Sequence, residues 1–421
     1  MKLSFLDTRT VISAPLVGMI VLLILSLDQW VFVAFEIPPY QFQIMAAAVF
    51  LMYGIFFLVA EVSKELELSR AAIIAGCVII VYLLYSLASL LYGPGDQISL
   101  DLMADRARVS FFLLIIFIIL LWAPARHGLE VIILLPLLLA IALNIFDFFV
   151  PTFSVVPGRA AGLYLNPNDA GVVIICMGLI ASTRLRPVWN FILWAAVTPA
   201  VLLTFSRGSW LVLVVALVGL VLTGRFGRGK ARFFFVAGIA ALLLGTLIAY
   251  LSGDLYYAIL RSPFAGYFDD NTLARLGARG LAIDDFSAME REAVFYEGIN
   301  AFFQSPVVGN GVGYTHSWEL PISTHNMLVL MGAELGLIGV SIYLVLFGLM
   351  VVGNRGTHQV HALCLFLAGM FTHNQFDSLA LIIPIAYTLS TMGLREGPVA
   401  ARSQVSAHPL ERASTAEPHL A

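Results

Sequence analysis

Long apolar runs separated by short polar breaks extend along almost the whole chain. Many of these runs approach the roughly 20 residues that a helix needs to cross a hydrocarbon core of about 30 Å. The pattern predicts an all-α polytopic membrane protein with about twelve membrane-spanning helices and both termini on one side. The predicted spans are residues 11–33, 41–60, 71–92, 109–123, 128–149, 169–183, 188–205, 208–223, 233–252, 326–352, 360–372 and 376–394.

The composition agrees with a membrane protein and excludes several other classes. Of the 421 residues, 60% are hydrophobic and only 12% are charged, which a water-soluble domain does not tolerate. The formal net charge of −3 leaves no basic surface for a nucleic acid. The three cysteines, Cys77, Cys176 and Cys364, lie inside apolar runs and predict buried thiols rather than a disulfide or a metal site.

Lys and Arg residues distinguish the two sides of the predicted helices. One set of loops carries most of these cations close to the span ends, and the positive-inside rule assigns that set to the cytoplasm. Its residues are Lys64, Arg70, Arg126, Arg184, Arg186, Arg225, Arg228, Lys230, Arg232, Arg355 and Arg395. The loops at 96–108, 150–169 and 205–208 and the long segment 253–325 are then expected to face the periplasm.

The predicted periplasmic loop at residues 253–325, between the ninth and tenth spans, is the longest stretch outside the bilayer. Loops of this length are usually functional or disordered, and the acidic and aromatic composition favours order. Ser287-Ala-Met-Glu290 has the form of a capping box, so a helix is predicted from there to about Gln304. Residues 1–395 are expected to form one transmembrane domain with an uncleaved first span, and residues 396–421 a disordered cytoplasmic tail.

Arg291, on the predicted loop helix, lies among apolar positions. Phe295, Gly298 and Phe302 share one stripe with it at helical spacing. The guanidinium either clamps an anion at the membrane face or pairs with a nearby glutamate at the surface. The helix alone leaves both interpretations open.

Two glycine motifs follow this helix. Gly309-Asn-Gly311-Val-Gly313 lacks the preceding strand and the following helix of a nucleotide-binding fingerprint, so it predicts a turn. Gly332-Ala-Glu-Leu-Gly336 and Gly339 predict a small-residue helix face that allows close packing.

His325-Asn326 stands at the predicted periplasmic mouth of the tenth span. A single histidine at such a place is more often a hydrogen-bonded structural residue than a base. Its position beside the long loop nevertheless favours a functional role. A neutral imidazole here would accept a proton from an acceptor hydroxyl.

Arg207 occupies the tight turn Phe205-Ser-Arg-Gly-Ser209, on the side that the positive-inside rule disfavours. Charge at the membrane face tends to be functional, and a headgroup anchor is the alternative. Polar residues on the same predicted side are Arg106, Arg108, Arg159, Asn166 and Asn168. Several guanidinium groups at one face suit a phosphate or diphosphate, because their forks match phosphate oxygens. A sugar diphosphate clamped in this way would need no metal for transfer.

Four segments together resemble the O-antigen ligase and O-antigen polymerase superfamily of bacterial membrane glycan transferases. They are Gly158-Arg-Ala-Ala-Gly-Leu-Tyr-Leu-Asn-Pro-Asn168, Ser206-Arg207-Gly208, Arg291 with Phe295 leading to Pro306-Val-Val-Gly-Asn-Gly-Val-Gly313, and His325-Asn326 with Gly332, Gly336 and Gly339. They follow the family order and spacing over about half the chain. Phe295 stands where the family often has tryptophan, and the N-terminal spans match only in character.

The resemblance implies a glycosyltransferase of the bacterial inner membrane with its active site facing the periplasm. Arg207 and Arg291 would bind the diphosphate of an undecaprenyl-linked glycan donor. His325 would activate or orient the acceptor hydroxyl for an inverting transfer without metal or cofactor. Further substrate contacts would come from Arg106, Arg108, Arg159, Asn166, Asn168 and Asn326. Ligation to lipid A-core is the first expectation, and polymerisation of O-antigen or exopolysaccharide is the alternative, because both branches share the motifs.

Two other function classes compete with this interpretation. Twelve spans also suit a transporter, but transporters often show two related halves and binding residues near the bilayer midplane. Here the long loop falls between spans nine and ten, and charged residues cluster at one face. A structural scaffold would need neither His325 nor the arginines on that face.

Overall fold

A computed structural model describes residues 8–227 apart from 39, 42, 45, 52–68 and 157, isolated positions between 229 and 273, and residues 286–393 apart from 319, 321 and 322. Almost all of the predicted span at 233–252 lies outside the described residues. The same holds for residues 52–60 of the second predicted span, for most of the loop segment 253–285 and for the tail 396–421.

Within the described ranges, all regular secondary structure is helical. The α-helices are α1 (Thr8–Ile24), α2 (Leu27–Phe35), α3 (Arg70–Ser89), α4 (Gln97–Leu121), α5 (Ala123–Ile132), α6 (Leu134–Phe149), α7 (Pro167–Ser182), α8 (Pro187–Leu202), α9 (Arg207–Leu222), α10 (Phe286–Gln304), α11 (Tyr314–Ser317), α12 (Met327–Gly353), α13 (Thr357–Gly369) and α14 (Leu379–Ser390). Side-chain oxygens cap several helix starts, as Ser69 does for α3 and Asp96 for α4. Helices α7 and α14 are buried along nearly their whole length and form the centre of the bundle.

Several of these helices are suited to cross a membrane. Arg70–Ser89, the α5–α6 stretch Ala123–Phe149 and Met327–Gly353 are long and apolar enough, and the bent pair α1–α2 would add a fourth span. Shorter apolar helices are Pro167–Ser182, Pro187–Leu202, Arg207–Leu222 and Leu379–Ser390. Large apolar side chains on these surfaces are exposed, as for Leu84 (60%) and Leu135 (73%), which suits lipid and not water. The described chain is thus an all-helical membrane protein, while the number of twelve spans stays a prediction.

Two predicted spans differ in shape from the helices observed. The first, 11–33, is broken into α1 and α2 with a bend of 60°, and Ser26 between them has a left-handed φ of 52°. Helix α4 begins at Gln97, well before the predicted residue 109. Its first turns carry Asp101 and Arg106, so the apolar pattern gave no signal there, although Asp96 caps the helix start.

The bundle has two opposite ends, and specific hydrogen bonds form at each of them. At one end, Arg184 donates to Glu130 (2.6 Å) and Arg225 donates to Thr357 (2.7 Å). These contacts join loops that the sequence assigned to one side. At the other end, which we call the site end, Arg159 donates to the Thr204 carbonyl (2.8 Å), and loops of the opposite predicted side meet each other.

Helix α12 is broken at Gly336, whose φ of 62° and ψ of −157° are not helical. The glycine turn predicted at 309–313 fills the break, and a Cβ on Gly336 would lie 2.4 Å from the Val307 carbonyl oxygen. The freed backbone groups are paired across it: Gly311 N donates to Glu334 O (2.8 Å) and Leu337 N donates to Pro306 O (2.8 Å). The predicted small-residue face therefore includes one residue, Gly336, whose backbone is not helical. Close packing does occur there, but against a loop.

Candidate functional site

His325 is fixed by the residue that follows it. Asn326 caps α12, and its Oδ1 accepts hydrogen bonds from Leu328 N (2.9 Å) and Val329 N (3.2 Å). The amide of Asn326 also donates to the Met370 carbonyl (3.4 Å), which ties the start of α12 to the end of α13. Asn326 therefore holds His325 at the site end of the bundle.

Arg291 reaches the same place from α10. Gly298 allows α10 to approach α12 closely, because a Cβ there would lie 2.4 Å from Val329 Cγ1. Val294 and Ala301 are buried on the packed side of the helix. The predicted helix over Ser287 to Gln304 is confirmed as α10, which begins at Phe286. Its packing sets the first turns of α10, with Arg291, beside the start of α12.

Arg291 and His325 line one cavity of about 280 Å³ at the site end. The lining residues are Arg291, Glu292, Phe295, Tyr296, Thr324, His325, Asn326, Met370 and Phe371. Phe295, at the position where the resembling family often has tryptophan, contributes to this wall. The cavity thus combines a guanidinium, an imidazole and aromatic rings.

Arg207 is the exposed first residue of α9 and directly precedes Gly208, which packs against the cavity wall. The following residue, Gly208, touches the wall: a Cβ there would lie 2.6 Å from Phe371 Cβ. Ser206 caps α9 by accepting a hydrogen bond from Ser209 N (3.3 Å). The structure therefore brings the turn that carries Arg207 against a residue that lines the cavity of Arg291 and His325.

The turn that carries Arg207 is supported by hydrogen bonds that involve Arg159, Asn166 and Asn168. The buried Arg159 donates from Nε to the Thr204 carbonyl and from Nη2 to Asn168 Oδ1 (2.9 Å). Asn166 caps α7 by accepting from Asn168 N (2.9 Å). Ser209 Oγ donates to the Asn168 carbonyl (3.3 Å), which links the two helix starts. These contacts give the three residues a supporting position outside the lining of the cavity.

Arg106 and Arg108 lie away from the cavity wall. The buried Arg106 pairs through Nη1 with Glu334 Oε2 (2.9 Å) and through Nε with Asp377 Oδ1 (3.5 Å). Glu334 is itself buried and accepts hydrogen bonds from Gly313 N and Thr315 Oγ1. Arg108 pairs with Asp105 at 2.8 Å on the surface of α4. Arg106 thus joins α4 to the broken part of α12.

His373, which the sequence pattern did not indicate as a site residue, lies beside His325 with a ring-centroid distance of 5.1 Å. A further imidazole, His316, lies 6.4 Å from His373. The available signal was a repeated tripeptide, since Thr324-His325-Asn326 and Thr372-His373-Asn374 each precede an apolar helix. In the second copy, Asn374 donates to Asp169 at 2.7 Å.

The surroundings keep His325 uncharged. Burial, as the largest cause, and the neighbouring His373 and Arg291 together lower its pKa to about 4. Burial also lowers the pKa of His373. At neutral pH the cavity therefore holds a fixed positive guanidinium beside an imidazole that is able to accept a proton.

The cavity residues suit an anion and a proton transfer. In the part of the chain that the structure describes, no group of three or more His, Cys, Asp and Glu side chains is arranged to hold a metal ion. A guanidinium beside a neutral base fits a substrate that carries phosphate oxygens close to a reacting hydroxyl.

Comparison with known proteins identifies a family for part of the chain. Residues 191–344 match the family model described as O-antigen ligase, and this segment contains Arg207, Arg291 and His325. Arg106, Arg108, Arg159, Asn166 and Asn168 precede the matched segment. A search of curated proteins found no match to the chain. Residues 191–344 therefore resemble the O-antigen ligase family, and this match supports assignment of the protein to the O-antigen ligase and polymerase superfamily of membrane glycosyltransferases.

Proposed function

We propose that this protein is an O-antigen ligase, which transfers a glycan from undecaprenyl diphosphate to a hydroxyl of lipid A-core at the periplasmic face of a bacterial inner membrane. The observation that carries the proposal is the shared cavity of Arg291 and His325 inside the segment that matches the family. The turn that carries Arg207 packs against the cavity wall through the contact of Gly208 with Phe371.

In the proposed reaction, the acceptor oxygen attacks the sugar carbon that is bonded to the diphosphate. A new glycosidic bond forms and the bond to the diphosphate oxygen breaks with inversion, so that the diphosphate takes the electron pair. Arg291 and Arg207 balance the negative charge of this leaving group, which grows as the bond breaks. His325 takes the proton of the acceptor hydroxyl.

The donor also provides a reason why a histidine with a low pKa serves as the base. A bound diphosphate places negative charge near His325 and opposes the effect of Arg291 on the imidazole. The pKa of His325 should then rise towards neutrality when the donor is present, where a base is most effective. Proton transfer would in this way depend on an occupied donor site.

The first experiment is a lipopolysaccharide gel from a ligase-deletion strain complemented with the wild-type gene or with His325→Ala. We expect His325→Ala to be expressed normally, to lose the O-antigen ladder and to accumulate lipid-linked glycan. His127→Ala is the matched control, because His127 lies at the opposite end of the bundle beside Glu130. A normal ladder from His325→Ala would remove His325 from the mechanism.

The same gel distinguishes the related alternative. If the variant leaves lipid A-core carrying a single repeat, the protein is a polymerase of the same superfamily rather than a ligase. An unchanged ladder on deletion of the gene itself would direct the search to exopolysaccharide or to the transporter hypothesis.

A further inference from the structure

A second groove, of about 610 Å³, lies at the site end between the α3–α4 turn and the glycine turn at 309–313. This volume is within the range of small-molecule binding sites. Its lining includes Tyr92, Ser305, Asn310, Tyr314, Ser317 and Trp318. None of these residues belongs to the cavity of Arg291 and His325. The groove is therefore a separate concavity on the same end of the molecule.

The walls of this groove are held in place by specific contacts. The hydroxyls of Tyr85 and Tyr92 both donate to the Val308 carbonyl, at 2.9 Å and 3.0 Å. Gly93 and Gly311 approach so closely that a Cβ on Gly311 would lie 2.3 Å from Gly93 Cα. These contacts hold the α3–α4 turn against the glycine turn, so the groove exists before any ligand binds.

The chemistry of the groove differs from that of the cavity. Within its described lining there is no Lys or Arg, so it does not suit a phosphate. Instead it presents the rings of Tyr92, Tyr314 and Trp318 together with hydroxyl and amide groups. Next to it, hydrogen bonds from Ser99 and Ser317 lower the pKa of Asp96, which stays ionised and able to accept hydrogen bonds.

A sugar ring has the complementary chemistry. One face of a pyranose presents C–H groups that stack on an aromatic ring, and its rim presents hydroxyls that need polar partners. Aromatic rings that are also amphipathic, such as Tyr and Trp, offer both at low entropic cost. An uncharged oligosaccharide is therefore the ligand class that fits the groove.

The short helix α11 connects the groove to the cavity. Tyr314 at its start lines the groove, and two residues later His316 faces His373, whose ring stands beside that of His325. A chain of sugars lying in the groove would thus lead along α11 to the cavity.

We propose that this groove binds uncharged sugar units of a glycan substrate, beyond the unit that reacts in the cavity. The proposal rests on the proposed function for the identity of the substrate. The oligosaccharide has two possible sources, the core of the acceptor or the glycan of the donor. Both share the chemistry that the groove recognises.

Binding of lipid-free sugars tests the groove without requiring turnover. The probes are fluorescently labelled core oligosaccharide, released by mild acid from lipopolysaccharide that lacks O-antigen, and O-antigen oligosaccharide, released by mild acid from the lipid-linked donor. The protein is purified in nanodiscs. We expect one probe to bind to wild type and equally to His325→Ala, because the groove excludes His325. Trp318→Ala and Tyr314→Ala should each weaken that binding by about tenfold, which corresponds to loss of one stacked ring.

The matched control is Trp189→Ala, since Trp189 is 59% exposed at the start of α8 and lies at the opposite end. Trp318→Phe keeps an aromatic ring and should keep most of the affinity, and a thermal melt of each variant verifies folding. Loss of core binding assigns the groove to the acceptor, and loss of O-antigen binding assigns it to the donor glycan. Unchanged binding of both probes by folded Trp318→Ala and Tyr314→Ala, or no binding to wild type, overturns the proposal even if transfer activity is intact.

Discussion

The imidazole of His325 is uncharged because three surroundings disfavour its protonation: burial first, then His373 and Arg291. A lowered pKa means that the neutral form is stabilised by folding. This stabilisation is present above the ordinary value of 6.5 and is lost as the pH falls from there to about 4. The proton-accepting form therefore persists through mildly acidic conditions.

This lowered pKa predicts the pH dependence of transfer. We expect the acid limb of kcat/KM, which reports the free enzyme, to lie well below pH 6.5 in wild type. His373→Gln should move the limb to higher pH, because one of the three causes is removed. His316→Gln is the control, since His316 contacts His373 instead of His325. An unchanged acid limb in His373→Gln would show that His373 does not lower the pKa of His325.

Replacement of Arg291 tests whether the guanidinium fork matters. Arg291→Ala should raise the KM for the lipid-linked donor by roughly 10- to 100-fold, as expected for a lost charge-assisted hydrogen bond. Arg291→Lys should restore little, because lysine keeps the charge but not the two-pronged geometry. Steady-state kinetics with varied donor measures both. Arg108→Ala removes a guanidinium that pairs with Asp105 outside the cavity, and it should leave this KM close to that of wild type. Full rescue by lysine would contradict bidentate binding.

The sequence pattern indicated Arg291 and His325 as candidate site residues, but it did not show that they share a cavity. Arg291 and His325 stood out because each is a polar group beside an apolar segment, which is visible in a linear sequence. That they share a cavity depends on Gly298, which sets the approach of α10 to α12, and packing of this kind is not visible in the sequence. His373 was missed because its loop is short and lies between two apolar runs, although its tripeptide repeats that of His325.

At the scale of elements, the break in α12 requires glycine at position 336. Gly336→Ala would place a side chain at positive φ and against the Val307 carbonyl, a strain of about 1–3 kcal/mol before any clash is relieved. We expect a clearly lower melting temperature in detergent. Gly348→Ala in the same helix has open space around its Cβ and should be neutral or slightly stabilising. Equal melting temperatures for the two variants would contradict the break.

The buried pair of Arg106 and Glu334 links α4 to the broken part of α12. Removing one partner should cost about 3–5 kcal/mol, because the other charge is left buried and unpaired. Arg106→Met combined with Glu334→Gln should therefore cost much less than the sum of the single changes. Denaturant unfolding of the four proteins measures this. Additive losses would show that the pair is not coupled, and would reopen a role for Arg106 in substrate binding.

Element positions followed from apolar patterning with two kinds of error. The start of α4 was placed too late, because its first turns are polar and lie outside the apolar run. The bend at Ser26 was missed for the opposite reason, since α1 and α2 form one continuous apolar run. Apolar length alone reports neither caps nor bends.

At the scale of the whole molecule, the two ends of the bundle should face different compartments. Asp101→Cys at the site end and Arg355→Cys at the other end both replace exposed residues. In a background without the native cysteines, a membrane-impermeant thiol reagent applied to intact spheroplasts should label Asp101→Cys and spare Arg355→Cys. Labelling in the reverse pattern would place the cavity on the cytoplasmic side and contradict the proposed reaction.

The loop inserted into α12 restricts how the protein can move during a catalytic cycle. Residues 306–311 supply hydrogen-bond partners to backbone groups of a helix that is long and apolar enough to lie in lipid. Lifting this segment would leave those groups unpaired away from water, at a cost of several kcal/mol for each. The segment is therefore expected to stay in place and not to open as a lid. Reactants are therefore expected to enter and leave without displacing residues 306–311.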